Sequence, residues 1–461
     1  MYDKKNTLMI GKYIMKTFAE KKIGIWGLGI VGRSAIRYLT HHTTFIGIID
    51  KSRLSEDDKK IFHHTLWYDY ANLDHFLADH DYILPSPGID LQPYHTYGHK
   101  WLSEIDIFVT DFKKPIIAAT GSVGKTTIVH LLSQIITNSG YTVAAGGNIG
   151  IGMLDLLLAE KIYDYALLEL SSFQLALSKK CTPDLAIITN IVANHLDRHN
   201  SLDEYIDAKF KILTNQNQDQ IALVPYELIH ELKKRDLFDR PLVFFSLRRP
   251  LDITHVLSTH SLFFIENNTI IKWHAGKETA LYSCAQLPPC SFMINWLIII
   301  AALSLLNIST SGLLENHSLT IPEHRLEFVA IKKGITFYND SKSTLPAATL
   351  AAVNALPNTP ILLLLGGTSK GVNRQPLIQQ LPATVKHTVC FGAEALQLKN
   401  FCDQTNLSAY ACNTLEDAFE QVLKLASAGE CVLLSPAGAS YDLFKNYEQR
   451  GNCFKQLVHS L

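Results

Sequence analysis

No C-x-x-C pair occurs among the eight cysteines, which are scattered along the chain. A disulfide frame is therefore not expected, and reduced thiols in a cytoplasmic protein are. Net charge is almost absent, at -1, so there is no basic footprint for nucleic acid or an anionic membrane surface. Long apolar runs are also missing. The strongest, 292–306, contains Asn295 and Ser304; it is too short to span a bilayer and reads as a buried helix. The first 22 residues carry lysines throughout and no continuous apolar segment, so no secretory signal is expected. No internal repeat or low-complexity tract is present. What remains is an ordinary globular composition, 47% hydrophobic and 18% charged over 461 residues. At roughly 150 residues per domain that suggests about three domains. A monomer is expected, with no nucleic-acid or membrane partner.

The stretch TGSVGKTT at 120–127 carries the most chemistry. It follows an apolar run at 116–119 that reads as a buried strand, and precedes an apolar stretch at 128–136 long enough for a helix. Strand, glycine turn and helix are the setting of a phosphate-binding loop. Gly121 and Gly124 let the backbone turn its N–H groups toward an anion, and the helix N-terminus adds partial positive charge. Lys125 supplies a full charge for the outer phosphates, and Thr126 a hydroxyl for magnesium. Ala119 stands where the common pattern has its first glycine, so the loop is a shortened G-x-x-G-K-T. The whole loop, with Ser122 and Thr127, is assigned to ATP; a lysine that merely follows a glycine turn is the alternative.

Upstream, a strand at 22–26 runs into Gly27-Leu28-Gly29-Ile30-Val31-Gly32 and a helix at 33–39. A second apolar run, 45–49, ends at Asp50. Glycine turn, helix and a following acid form the dinucleotide fingerprint, with a diphosphate at the helix N-terminus. A turn kept for helix–strand packing is the alternative. A strand at 82–84 leads into Pro85-Ser86-Pro87-Gly88, a second turn facing the same crevice, and 111–115 reads as a linker.

In the middle of the chain, strands at 141–145, 165–168 and 185–189 end in Gly146-Gly147-Asn148, Glu169 and Asn190, with His195 shortly after. Strands alternating with helices argue for a parallel sheet whose ligands gather at the strands' carboxyl ends. There Glu169 and a neutral His195 could hold magnesium near phosphate. The helix 202–213 carries two lysines. Tyr205, Ala208 and Ile212 mark its buried face; Lys209 lies at the edge of that face and Lys211 points elsewhere. The segment 241–287 reads as mixed short strands without assigned chemistry. From about Ile321, His324 and Arg325 come first. Strands at 334–338, 360–365 and 431–434 then end in Asn339-Asp340-Ser341-Lys342-Ser343-Thr344, Gly366-Gly367-Thr368-Ser369-Lys370 and Ser435-Pro436-Ala437-Gly438-Ala439-Ser440.

Together these motifs resemble the Mur ligase family. T-G-x-x-G-K-T, G-G-N-I-G, E-L-S-S-F-Q-L, N-H-L-D-R, H-R-L-E, N-D-S-K-S-T, L-L-L-G-G and S-P-A-G-A-S-Y-D-L-F-K-N-Y-E-Q-R-G stand in the family's order, over essentially all of the chain after about Lys22. The last run is similar to that of the D-glutamate-adding member. The Asp-Asn-Pro-Arg motif of the diamino-acid-adding member is not found. Val123, Ile30-Val31 and Ser291-Phe292 depart from the family's usual residues.

The resemblance implies an α/β protein of three domains: a Rossmann-like UDP-substrate domain (1–112), a central P-loop ATPase-like parallel-sheet domain (113–320) and a Rossmann-like amino-acid domain (321–461). It implies an amide ligase that uses ATP to join D-glutamate to UDP-N-acetylmuramoyl-L-alanine through an acyl phosphate, in peptidoglycan precursor synthesis. Lys125, Glu169, His195, Lys209 and Lys342 would be catalytic. Thr126 and Glu169 would hold one Mg2+, and His195 with a carbamylated Lys209 a second. Gly121, Ser122, Gly124, Lys125, Thr126, Thr127, Asn295, Arg325 and Asp340 would bind ATP. Gly27, Leu28, Gly29, Ile30, Val31, Asp50, Ser86, Pro87, Gly88, Asn148 and His195 would bind the UDP substrate, and Thr344, Lys370, Ser440 and Tyr447 D-glutamate. The alternatives are another Mur ligase or a folyl-polyglutamate-synthetase-like ligase with a different amino acid, a P-loop ATPase without a covalent product, and an NAD oxidoreductase.

Overall fold

The computed structural model describes residues 18–52, 56–148, 150–159, 161–192, 198–251, 260–288, 292–314, 319–356, 359–369 and 371–461. The chain divides into two compact units. One comprises Met1–Asn190, Ile206–Leu287 and Trp296–Ser318, the other Ile191–Tyr205, Pro288–Asn295 and Leu319–Leu461. Two short stretches of the expected central domain therefore group with the second unit.

The first unit holds two sheets. The smaller is parallel, in the order β3-β2-β1-β4, from β1 (Lys22–Trp26), β2 (Phe45–Ile49), β3 (Leu66–Tyr68) and β4 (Tyr82–Pro85). The larger contains β5 (Ile116–Thr120), β6 (Val143–Gly147), β7 (Tyr165–Glu169), β8 (Leu185–Ile188), β9 (Ile221–Pro225), β10 (Leu242–Ser246), β11 (Ser261–Glu266), β12 (Thr269–His274) and β13 (Lys277–Ser283). Its order is β13-β12-β11-β10-β9-β8-β5-β7-β6. Strands β5 and β8 are buried along their whole length, which is why they read as continuous apolar runs rather than alternating ones. At the far edge, β11, β12 and β13 turn antiparallel. Their hairpins run through Asn267-Asn268 and Ala275-Gly276, all with positive φ, as tight two-residue turns require.

The second unit is one sheet of β14 (Glu327–Lys332), β15 (Ile335–Asn339), β16 (Ile361–Gly366), β17 (Val385–Phe391), β18 (Ser408–Cys412) and β19 (Cys431–Leu434), in the order β14-β15-β19-β16-β17-β18. Only β14 runs antiparallel. Two separate clusters, one around Leu363 and Leu433 and one around Leu362 and Val432, make its core. Alternate residues of β16 and β19 thus point to opposite faces, and both faces are covered. The expected fold class, α/β with parallel-rich sheets, is what the chain adopts. Among the described residues no helix is long and apolar enough to cross a membrane.

The expected linker at 111–115 is shorter than read. Asp111 closes the helix Glu104–Asp111 and accepts a hydrogen bond from the Tyr38 hydroxyl, so a tertiary contact keeps this polar residue in regular structure. Three further contacts tie the small sheet's surroundings to the large sheet's. Arg37 makes a two-pronged ion pair with Asp155, at 2.7 Å on each prong. The Ser34 hydroxyl accepts from Asp155 N at 2.9 Å. Gln174 Nε2 donates to Glu104 Oε1 at 2.7 Å.

Glu104 is buried, and burial pushes its carboxyl up to about 7 against the opposing Gln174 bond. The folded chain therefore holds a proton that the unfolded chain releases near its ordinary value of 4.5. The stability this group contributes is present below that value and is lost as pH rises through about 7. At about 1.4 kcal/mol per pH unit, the loss is on the order of 3 kcal/mol. Glu104→Gln is expected to remove most of it. Thermal melts at acid and at mildly alkaline pH should show a smaller drop for the variant than for the unaltered protein; equal drops would refute the assignment.

Candidate active site

The phosphate-loop sequence sits where β5 ends. Gly121 has φ of 145°, and a Cβ there would lie 2.0 Å from Thr189 Oγ1, so only glycine fits. Gly124, also at positive φ, opens the helix Lys125–Asn138 without a side-chain cap. The first N–H groups of such a helix have no intrahelical acceptors and favour an anion. The loop is latched from β8: Ser122 N donates to Asn190 O at 3.0 Å and Val123 N to Asn190 Oδ1 at 2.9 Å. Asn190 Nδ2 and Thr189 Oγ1 both donate to Val123 O, at 2.9 and 2.6 Å. Val123 thus contributes through its backbone, which explains how an apolar side chain is accommodated inside the loop.

Two lysines converge on this loop. Lys125 Nζ donates to Gly121 O at 2.7 Å and Ser122 O at 3.3 Å. Lys209 Nζ donates to the same Gly121 O at 2.8 Å. Lys209 is only 2% exposed. Burial, and then the neighbouring Lys125 charge, hold its amine well below the ordinary lysine range, while Glu169 pulls the other way. Lys211, two residues on, donates instead to Ala176 O. Glu169, buried at the end of β7, accepts from Asn148 Nδ2 at 3.0 Å. Asn148 N donates to the Glu169 carbonyl at 2.8 Å. A Cβ on Gly147 would meet that carbonyl oxygen at 2.4 Å, so the glycine run is what lets the chain wrap Glu169. Thr126 and Thr127 are buried in the helix's first turn.

Among the described residues no group of three His, Cys, Asp or Glu side chains is placed to bind a metal. The donors here are of another kind: the buried Glu169 carboxylate, the Thr126 hydroxyl and the Lys209 amine, whose burial favours its neutral form. A neutral amine is the form that reacts with carbon dioxide, and a carbamate would add two hard oxygens of the sort magnesium takes. Thr126 and Glu169 therefore suit one magnesium ion, and Lys209 the carbamate, that the family resemblance implies. His195 and Lys370 lie outside the described residues.

In the small sheet the two turns meet. Leu28 N donates to Asp50 Oδ2 at 2.7 Å, Ser52 N to its Oδ1 at 2.7 Å, and Ser86 Oγ to Gly27 O at 3.0 Å. Both carboxylate oxygens of Asp50 are thus engaged by backbone. Gly27, Asp50 and Gly88 border a cavity of about 400 Å³ together with Trp26, Lys51, Tyr70 and Tyr94. Val31 and Pro87 face a different, tight crevice that also contains Glu104 and Gln174. Gly29 caps the helix Ile30–Leu39, and Ile30 is exposed. Trp26, Lys51, Tyr70 and Tyr94 were not among the residues the sequence suggested; they belong to no motif and reach the cavity only through the sheet.

The second unit gathers a third set. Leu326 N donates to Asp340 Oδ1 at 3.1 Å and Ser435 Oγ to Asp340 Oδ2 at 2.6 Å. Burial pushes the Asp340 carboxyl up to about 6, against these bonds and the nearby Arg325 charge. Lys342 Nζ lies 3.6 Å from the Tyr447 ring centroid, a cation–π contact. Thr344 N donates to Lys342 O at 2.9 Å, and Ser440 is buried on the loop after β19. Asn295 is buried near the start of the helix Met293–Leu305. Residues Asn190, Ser341, Ser435 and Arg450 hold these loops and were missed as site residues, although Asn190, Ser341 and Ser435 stand where strands stop, like the residues that were found.

Comparison with known proteins agrees with this arrangement. Residues 119–256 match the Mur ligase middle domain and 324–438 the Mur ligase glutamate ligase domain. The UDP-N-acetylmuramoylalanine–D-glutamate ligase of Ruminiclostridium cellulolyticum is 30% identical over 97% of this chain and 98% of its own length. The enzyme of the same name from Pseudoalteromonas translucida is 32% identical over 95% and 97%. Among solved structures, the MurF ligase of Thermotoga maritima in complex with ADP shares the fold at a TM-score of 0.57 and 16% identity, covering 97% of each chain. UDP-N-acetylmuramate-alanine ligase MurC of the same organism does so at 0.56 and 16%, over 96% and 100%. With the phosphate loop, the latched glycine turns and near-full-length relatives in agreement, the chain belongs to the Mur ligase family.

Proposed function

We propose that this protein is the ATP-dependent ligase that adds D-glutamate to UDP-N-acetylmuramoyl-L-alanine in peptidoglycan precursor synthesis. The observation that carries the reading is the convergence of Lys125 and a buried, neutral-leaning Lys209 on Gly121 O, beside buried Glu169. Such a site suits the phosphorylation of a carboxylate by ATP. The names of relatives 30% and 32% identical over nearly the whole chain support the choice of substrates.

In this reading residues 1–112 hold the UDP substrate, 113–320 hold ATP, and 321–461 bring the amino acid. The turn Gly27, Leu28, Gly29, Ile30 and Val31, with Asp50, Ser86, Pro87 and Gly88, grips the uridine diphosphate, and Asn148 contacts the sugar end. Lys125 and the loop Gly121, Ser122, Gly124, Thr126 and Thr127 hold the phosphates; Asn295, Arg325 and Asp340 complete the ATP contacts. Thr126 and Glu169 would hold one magnesium ion and His195 with carbamylated Lys209 a second, and the ions would supply positive charge to the phosphate oxygens. The terminal phosphoryl passes to the alanyl carboxylate and ADP departs. Thr344, Lys370, Ser440 and Tyr447 hold D-glutamate so that its amine attacks the acyl carbon. The amine loses its proton, phosphate leaves, and an amide remains. Lys342 steadies the negative oxygens of the acyl phosphate. The reading makes the protein a cytoplasmic monomer.

Phosphate release with ATP and UDP-N-acetylmuramoyl-L-alanine tests it. Release is expected to depend on D-glutamate and to be matched by amide product. Release without any acceptor would favour a simple ATPase, and a preference for another amino acid would favour a sister ligase.

A further inference from the structure

A buried charge is ordinarily paired, because leaving water without a partner is costly. Among the described residues the second unit contains two buried arginines, and they differ in this respect. Arg374 is 2% exposed and makes an ion pair with Glu394. Arg450, in the helix Tyr447–His459, is 0% exposed. Its three hydrogen bonds go only to neutral oxygens: Nε to Ser341 Oγ at 3.0 Å, Nη2 to Ser341 O at 2.7 Å, and Nη1 to Gly438 O at 3.0 Å. No carboxylate among the described residues forms an ion pair with it. Asp442 and Asp340 act on it only through space, and burial brings its guanidinium down to about 10, so it stays charged at neutral pH.

This charge lies beneath three loops that are tied together. Ala437 N donates to Ser343 O at 2.9 Å, and Thr368 and Ala439 exchange a pair of backbone bonds at 2.8 Å each. A Cβ on Gly367 would come within 3.0 Å of Arg450 Nη1, so the loops pack directly on the guanidinium. Thr344 and Ser440, the proposed D-glutamate contacts, stand on these same loops. In a low-dielectric interior an unpaired charge acts over several ångströms.

We propose that Arg450 is a positioning residue for the amino-acid substrate. Its buried positive charge, acting through the Ser341 and Gly438 loops, favours an amino acid that brings a second carboxylate. The inference rests on the ligase reading above and assigns to that site the origin of its preference for a dicarboxylic substrate.

The test uses the full chain, with D-glutamate, ATP and UDP-N-acetylmuramoyl-L-alanine each titrated in the phosphate-release assay. Arg450→Gln removes the charge and keeps an amide donor; Arg450→Lys keeps the charge and loses the planar fork. Arg450→Gln is expected to raise the D-glutamate KM about tenfold or more, while kcat and the other two KM values stay within about threefold. Arg450→Lys is expected to stay within about threefold throughout. A D-glutamate KM unmoved by Arg450→Gln, an equal rise in all three constants, or equal impairment by lysine would overturn the proposal. If the glutamine variant does not fold, the lysine variant decides: a retained D-glutamate KM supports the role of charge, and a rise of about tenfold defeats it. Failure of the ligase reading looks different, since the unaltered protein would then release no phosphate in response to D-glutamate, and this inference would fall with it.

Discussion

Lys125→Ala is expected to lower D-glutamate-dependent phosphate release by about a hundredfold or more while the protein stays folded. The loss corresponds to about 3 kcal/mol, the scale of a removed oxyanion donor. Lys125 is half-buried at the first position of its helix, and its amine donates to the Gly121 and Ser122 carbonyls of the loop. Alanine is the best helix former, and the latch from Asn190 and Thr189 does not involve the lysine side chain. The fold should therefore survive, which circular dichroism and a thermal melt would verify. A folded variant that turns over like the unaltered protein would remove the ATP assignment of this loop. A second consequence concerns Lys209. The Lys125 charge helps to hold the Lys209 amine below the ordinary range, so its removal should raise the Lys209 pKa and leave less neutral amine at a given pH.

Lys209→Ala should be comparably severe, and distinguishable by rescue. The side chain is buried against the loop, and its amine is held toward the neutral form first by burial and then by Lys125. A cation in this place would oppose a bound metal ion; a carbamate would reverse the charge and offer two oxygen ligands. Alanine removes the carbamate, and a loss of about a hundredfold or more is expected, as for other groups that organise phosphoryl transfer. Millimolar acetate or another short carboxylate should restore part of the activity by occupying the vacated space. Lys211→Ala serves as the comparison, because Lys211 donates to Ala176 O and not to the loop, and it should remain near the unaltered rate. Full activity of the unrescued Lys209 variant would end the carbamate assignment.

Much of this was legible from local pattern. The strand–glycine–helix order around 120–127 is a short-range signal, because a continuous apolar run, a left-handed glycine and a helix start occupy adjacent positions. Glu169, Asn148 and Asp340 were selected the same way, as polar residues placed where buried strands stop, and the structure puts each of them at such an end. The choice of Lys209 over Lys211 as the buried lysine followed from helical spacing, since 100° per residue separates their faces. By contrast, the linker read at 111–115 begins one residue later, because Asp111 closes a helix and accepts a bond from Tyr38, far away in sequence.

Local pattern was enough for the α/β class, the strand–glycine–helix turn and the polar residues at strand ends, since each depends on the chemistry of near neighbours. Tertiary structure alone decided which of these groups meet. Asn190 became a latch because β8 pairs beside β5. Tyr70 and Tyr94 came to border the cavity beside Gly27 and Asp50 through the small sheet. Arg450 reads in the chain as one more charge in a polar run, and only packing shows it to be fully buried, with no carboxylate partner among the described residues. Burial and long-range pairing depend on chain segments more than a hundred residues apart, as between Arg450 and Ser341, and no local pattern records them.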